Sequence, residues 1–157
     1  MTGTAKYREG DWFIVPLCDG SYAVMLIARR SRSKITLGYF FGPATQELPT
    51  LRNVVGLRAG DAVLVCLFGA LGISDGVWIP LGRLETWNRD DWPMPVFVQK
   101  NPLTENQYFL RFYDPDDPGK PAGETVVRSE VVPDGPEDGL FGYVAAQIVL
   151  SQRLGVA

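Results

Sequence analysis

The chain has 157 residues, 46% of them hydrophobic and 11% aromatic, enough to fold around a core and too apolar for a disordered chain. Its formal charge is −3 at pH 7, which argues against nucleic acid as a direct partner, since phosphate contacts need clustered Lys and Arg. It contains no histidine, and so lacks the commonest metal ligand, the commonest general base and every Ser-His or Cys-His pair.

This length suits one domain spanning residues 1–157. Gly (17) and Pro (12) are abundant without any low-complexity run, which points to many short elements joined by turns. The longest apolar runs, Ala62–Leu71 and Val144–Leu150, fall short of the roughly 20 residues of a membrane span. The start, Met1-Thr2-Gly3-Thr4-Ala5-Lys6, has no apolar signal segment. A cytoplasmic protein without membrane contact is therefore expected. Cys18 and Cys66 each lie in an apolar run and read as buried thiols, not as a disulfide framework.

In chain order, Asp11–Leu17 and Tyr22–Arg29 are apolar runs separated by Cys18-Asp19-Gly20-Ser21, a strong hairpin signal. Ile35–Gly42 follows the polar turn Arg30–Lys34 as a third strand. Pro43 to Arg58 reads as irregular, because Pro43 and Pro49 remove ladder donors. Ala62–Phe68 is a buried strand and Val77–Leu81 a short one. Trp87–Pro95 is irregular, and Val96–Gln99 and Tyr108–Tyr113 are strands. Pro115–Gly123 reads as a loop and Glu124–Val132 as a last edge strand. Pro136-Glu137-Asp138 has a helix-start composition. Behind it Leu140, Tyr143, Val144, Ile148 and Leu154 recur at helical spacing, placing a helix over about 137–154. The expected fold is mostly β: a twisted antiparallel sheet or a partly open barrel with one C-terminal helix packed on it.

No phosphate loop, dinucleotide fingerprint or nucleophile elbow occurs, and adjacent carboxylates such as Asp90-Asp91 point apart on extended backbone. No catalytic residue, metal site or cofactor is expected. Three segments stand out as candidate contact surfaces. Arg29-Arg30-Ser31-Arg32-Ser33-Lys34 packs four cations into six residues, suited to an anion or to a solvated hairpin tip. Trp87-Asn88-Arg89-Asp90-Asp91-Trp92-Pro93-Met94-Pro95 combines the Trp and Arg of binding hot spots with prolines that could equally fold the rings back over a sheet. Charge is also uneven. Residues 1–84 carry nine Lys/Arg against six Asp/Glu, and residues 85–157 carry six against twelve. Eight of those acids lie in Asp114–Asp138, including Asp114, Asp116 and Asp117, a pattern that can steer a basic partner.

The segment Gly10-Asp11-Trp12-Phe13-Ile14-Val15-Pro16-Leu17-Cys18-Asp19-Gly20-Ser21-Tyr22-Ala23 resembles the opening of the immunity protein 26 family. Leu37–Pro43, Phe68-Gly69, Gly76-Val77-Trp78, Trp92–Pro95 and Pro136–Leu140 follow in that family's order. Met25 departs from the pattern, which has a glycine there. The resemblance implies a mostly β protein that protects bacteria against polymorphic toxins, and the same grouping takes in an organophosphate hydrolase. The function expected is an immunity protein that binds a cognate toxin, itself basic, and occludes it. The alternatives are a small-ligand or peptide-binding β-domain and, behind it, a phosphoester hydrolase. The expected contact residues are Trp87, Arg89, Asp90, Asp91, Trp92, Asp114, Asp116 and Asp117.

Overall fold

The first two hairpins form as their turn residues dictate. β1 (Asp11–Pro16) pairs antiparallel with β2 (Tyr22–Arg30) around a turn in which Gly20 takes a φ of +86° that other residues adopt at a cost. Asp19 Oδ1 accepts the amide of Ser21 at 2.9 Å and its hydroxyl as well, and these bonds hold the Asp19 carboxyl below its ordinary pKa. β2 then pairs with β3 (Ile35–Thr45). The computed structural model describes residues 6–157, so the reading of Met1–Ala5 lies outside the described residues.

β4 (Leu64–Gly69), a single helical turn α1 (Leu71–Ser74) and β5 (Ile79–Arg83) follow. The strand order of the larger sheet is β5-β1-β2-β3-β4-β9, where β9 (Leu140–Phe141) lies parallel to β4. A second antiparallel sheet comprises β6 (Phe97–Lys100), β7 (Gln107–Asp114) and β8 (Asp117–Arg128) in that order. The C-terminal helix α2 spans Tyr143–Arg153. The fold is mostly β, with 42% strand, 16% helix and no closed barrel.

Strands β1–β4 of the larger sheet are buried on both faces, which is why they read as near-continuous apolar runs rather than alternating ones. Phe13, Met25, Ile27, Phe40, Cys66 and Phe68 face Trp78 and Leu150. Trp12, Leu26, Leu37, Tyr39 and Phe41 face the other way, toward Trp92 and Phe97. Met25 is fully buried. The close approach expected of a glycine there is supplied by Gly38 on the next strand, where a Cβ would sit 3.3 Å from the Met25 sulfur and 2.7 Å from the Phe68 ring.

Four expectations need correction. Pro115–Gly123 is not a loop: β8 starts at Asp117 and ends at Arg128, because an edge strand tolerates the missing donors of Pro118 and Pro121. The helix starts at Tyr143, not near 137. Pro136–Asp138 runs extended beside β6, with Val98 N donating to Pro136 O at 2.8 Å and Asp138 N to Val98 O at 2.9 Å. The buried face of α2 is Ala146, Leu150 and Ser151, whereas Val144 and Ile148 are 52% and 43% exposed. The apolar residues flank the helix on two sides, so spacing alone could not pick the packed one. Cys66 is buried, and burial pushes its thiol pKa up. Cys18 is exposed, because the chain turns at its position and only its amide is held, by Ser151 Oγ at 3.0 Å.

Replacing Leu150 by Ala should therefore cost about 2–5 kcal/mol of unfolding free energy. Ile148→Ala should change it by no more than about 0.5 kcal/mol. Urea melts of the two variants check the assignment of the packed face.

Candidate functional site

Three of the segments singled out above meet on one side of the molecule. The link is a chain of charges. Arg89 Nε donates to Glu9 Oε1 at 2.6 Å, and Arg89 Nη1 donates to Asp116 Oδ1 at 2.6 Å. The hydrogen bond to Glu9 is the main reason that the Arg89 pKa lies above its ordinary value. Arg29, at the end of β2, lies 4.0 Å from the same Glu9 oxygen. The Trp87–Pro95 segment, the Asp114–Asp117 turn and the base of the Arg29–Lys34 turn are thus connected through four side chains.

Arg29 is only 4% exposed, which is rare for a cation, and the Glu9 carboxylate at 4.0 Å is its ion-pair partner. A register shift between Ile27 and Arg29 turns it inward. Its Nε donates to Pro115 O at 2.7 Å and its Nη1 to Ala28 O at 2.6 Å. Burial pulls its pKa down, and the neighbouring Arg89 adds to that, opposed by Glu9. One of the four cations is therefore a structural pin that fixes the acidic turn, while Arg30, Arg32 and Lys34 stay in or near solvent. The hairpin tip closes on the start of β8: a Cβ at Gly119 would lie 2.9 Å from Ser33 Oγ.

The tryptophan segment is held from beneath. Trp92 is 7% exposed and packs edge-on against Trp12, Tyr39 and Phe41 at centroid distances of 6.1, 5.2 and 5.9 Å. Tyr39 Oη donates to Pro93 O at 2.5 Å. Trp92 thus anchors the loop, and its neighbours stand outside. Trp87 is half-buried and lies over Gly10, where a Cβ would come within 2.7 Å of its ring. Gly10 also has a φ of +92°, so no other residue fits this contact without strain. Asn88 Oδ1 caps the short turn Arg89–Asp91 by accepting the amide of Asp90 at 3.1 Å. That leaves the Asp90 and Asp91 side chains exposed. Trp12, Trp87 and Trp92 line a cavity of about 510 Å³ with Arg58 and Asp91 among its polar members.

The acids of the second half divide into used and free. Asp114 Oδ1 accepts Asp116 N at 2.8 Å, and Asp117 Oδ1 accepts Gly119 N at 2.9 Å, bonds that shape the turn. The Asp138 side chain is only 5% exposed, accepting from Arg111 Nη1 at 2.8 Å and Tyr113 Oη at 2.5 Å. Glu124 pairs with Arg111 Nε at 3.1 Å. Glu9, Arg111 and Tyr113 are polar residues of this region that the sequence did not single out, and Asp138 was singled out only as a helix start and as part of the acidic stretch. None carries a local motif, since each partner lies far away along the chain. Among the described residues no cluster of three or more acids or cysteines converges as metal ligands, and no helix is long and apolar enough to cross a membrane.

Two tyrosines tie this region down, and both titrate late. Burial pushes Tyr39 up to about 12 from an ordinary 10.0. Burial and the Asp138 hydrogen bond push Tyr113 up to about 12 as well. Between pH 10 and about 12 the unfolded chain loses protons that the folded chain keeps, so stability must fall as pH rises through that window. With no histidine, no side chain has an ordinary pKa between 5 and 8. Urea midpoints should be nearly flat from pH 6 to 8 and should drop between pH 10 and 12, and Tyr113→Phe should reduce the drop.

The sequence model of the family described as Immunity protein 26 matches residues 8–109. The match takes in Glu9, Arg29 and the whole tryptophan segment, and it ends within β7, before the Asp114–Asp117 turn. No curated protein and no solved structure matches the chain. With more than half of its length matched, the chain belongs to the immunity protein 26 family.

Proposed function

We propose that the chain is an immunity protein that binds a cognate bacterial toxin, of the polymorphic class, and neutralises it by surface occlusion. It works as a single domain over residues 1–157, in the cytoplasm, without catalysis and without a cofactor. The observation that carries this reading is the meeting of the tryptophan segment, the acidic turn and the basic turn through Arg29, Glu9, Arg89 and Asp116. Occlusion needs exposed side chains on a rigid frame, and this face has that arrangement. Trp87 and Arg89 supply the contact, with Trp92 beneath them as support. Asp90, Asp91, Asp114 and Asp117 supply the free negative charge that draws a basic toxin in. Family membership supports the protein partner in general terms.

A second reading, a small-ligand or peptide-binding β-domain, rests on the cavity of about 510 Å³ beside Trp12, Trp87 and Trp92. A phosphoester hydrolase would have to work through carboxylates and thiols alone. Here the Asp114 and Asp117 carboxylates shape a turn, Asp90 and Asp91 stand in solvent, and one thiol is buried.

The test is a binding time course with the toxin domain encoded beside the gene, at low and high salt. Changing Asp90, Asp91, Asp114 and Asp117 to Asn keeps the turn acceptors and removes four charges. It should slow association about tenfold at low salt and much less at high salt. Trp87→Ala should leave association alone and speed dissociation about tenfold or more. Unchanged rates in both folded variants would refute the proposed face. Absence of any complex, with a small molecule quenching tryptophan fluorescence instead, would favour the second reading.

A further inference from the structure

β8 ends the smaller sheet, with β7 on one side and, among the described residues, no strand on the other. Past its first residues, which abut the β2–β3 tip, seven consecutive positions from Lys120 to Val126 are exposed. A strand exposed on both faces and along one edge leaves a row of amide and carbonyl groups to water, a template for another strand. Its first half is blunted by Pro118, Pro121 and a register shift against Phe112 and Tyr113. The second half, Gly123–Arg128, is regular: it pairs residue for residue with Gln107–Phe112.

On that regular half, Glu124, Val126 and Arg128 share one face by the period of two. Val126 is 52% exposed, and no ion pair engages Arg128 among the described residues. We propose that this edge pairs antiparallel with the same edge of a second copy, with the two-fold axis at Val126. In that register Val126 faces Val126 of the second copy. Glu124 faces Arg128 on one side of the axis, and Arg128 faces Glu124 on the other. Thr125 faces Val127, so β-branched side chains also meet on the second face. Centring the pair on Glu124 or on Arg128 instead sets like charges face to face. Shifting it by one residue separates the charges from each other. The charge pattern therefore selects one self-complementary register, as an isologous contact requires. Arg111, already 3.1 Å from Glu124, extends the row into a ladder of alternating charge. The occupant is a second copy rather than a foreign strand because both halves of the complementarity lie on one short segment of this chain. The inference is independent of any toxin.

Sedimentation of the whole chain over a wide concentration range tests it. The mass should rise from 17.3 kDa toward twice that value. Arg128→Glu sets two acids against Glu124 in the pair, and Val126→Lys sets Lys against Lys on the axis. Each should weaken the dimer about tenfold or more, with an unchanged circular dichroism spectrum. The double swap Glu124→Arg with Arg128→Glu exchanges the charges and should restore dimerisation lost in Arg128→Glu alone. If the swap disturbs the hairpin through Arg111, Val126→Lys still decides. A wild-type chain that stays at 17.3 kDa throughout would overturn the proposal. So would a dimer indifferent to Arg128→Glu and Val126→Lys.

Discussion

β2 and β3 are apolar on both faces, and a sheet with two apolar faces must be covered twice. On one face α2 and the segment around Trp78 do this, with Trp78 Nε1 donating to Gln147 Oε1 at 2.7 Å. On the other the cover is partly irregular chain, pinned by Trp92 among Trp12, Tyr39 and Phe41. Once Trp92 is buried, Arg89 is only three residues away and cannot lie far from the end of β2, where Glu9 and Arg29 sit. The meeting of these charged segments follows from covering a hydrophobic face. Its ion pairs add orientation more than stability, since Arg89 is 37% exposed at its side chain and exposed pairs contribute about 0–1 kcal/mol each.

The same covering explains what the sequence made legible. Strands β1 to β4 were readable because double burial leaves long apolar runs with polar turns between them. The tryptophan segment was readable as unusual, but its composition suits a contact loop and a cover equally. It is a cover at Trp92, which points inward, while Asp90 and Asp91 point outward. The acidic stretch was readable as charge but not as structure. Asp138 is spent on Arg111 and Tyr113, and Asp116 on Arg89, through partners 25 to 27 residues away. No local pattern encodes such pairs. Arg29 was hidden for a related reason: it opens a basic run that looks solvated, and a shift in β-sheet register buries it. β8 was hidden by its prolines, which an edge strand accepts and a central one does not.

The match to the immunity protein 26 family covers residues 8–109, which includes the frame and the tryptophan segment. The acidic turn, β8 and α2 lie beyond it. Within one chain, then, the family's matched stretch supplies Glu9, Arg29 and Arg89, and the later stretch supplies Asp116 to complete the charge chain. The joint between them is the guanidinium of Arg89.

The most direct test of this account is amide hydrogen exchange on the Arg89→Met variant, which keeps the stem of the side chain and removes its donors. If Arg89 joins the segments into one face, exchange should quicken together in Trp87–Pro95 and in Asp114–Gly119, two stretches that no strand connects, while β2 and β3 keep their protection. Faster exchange confined to Trp87–Pro95, with Asp114–Gly119 unchanged, would contradict it.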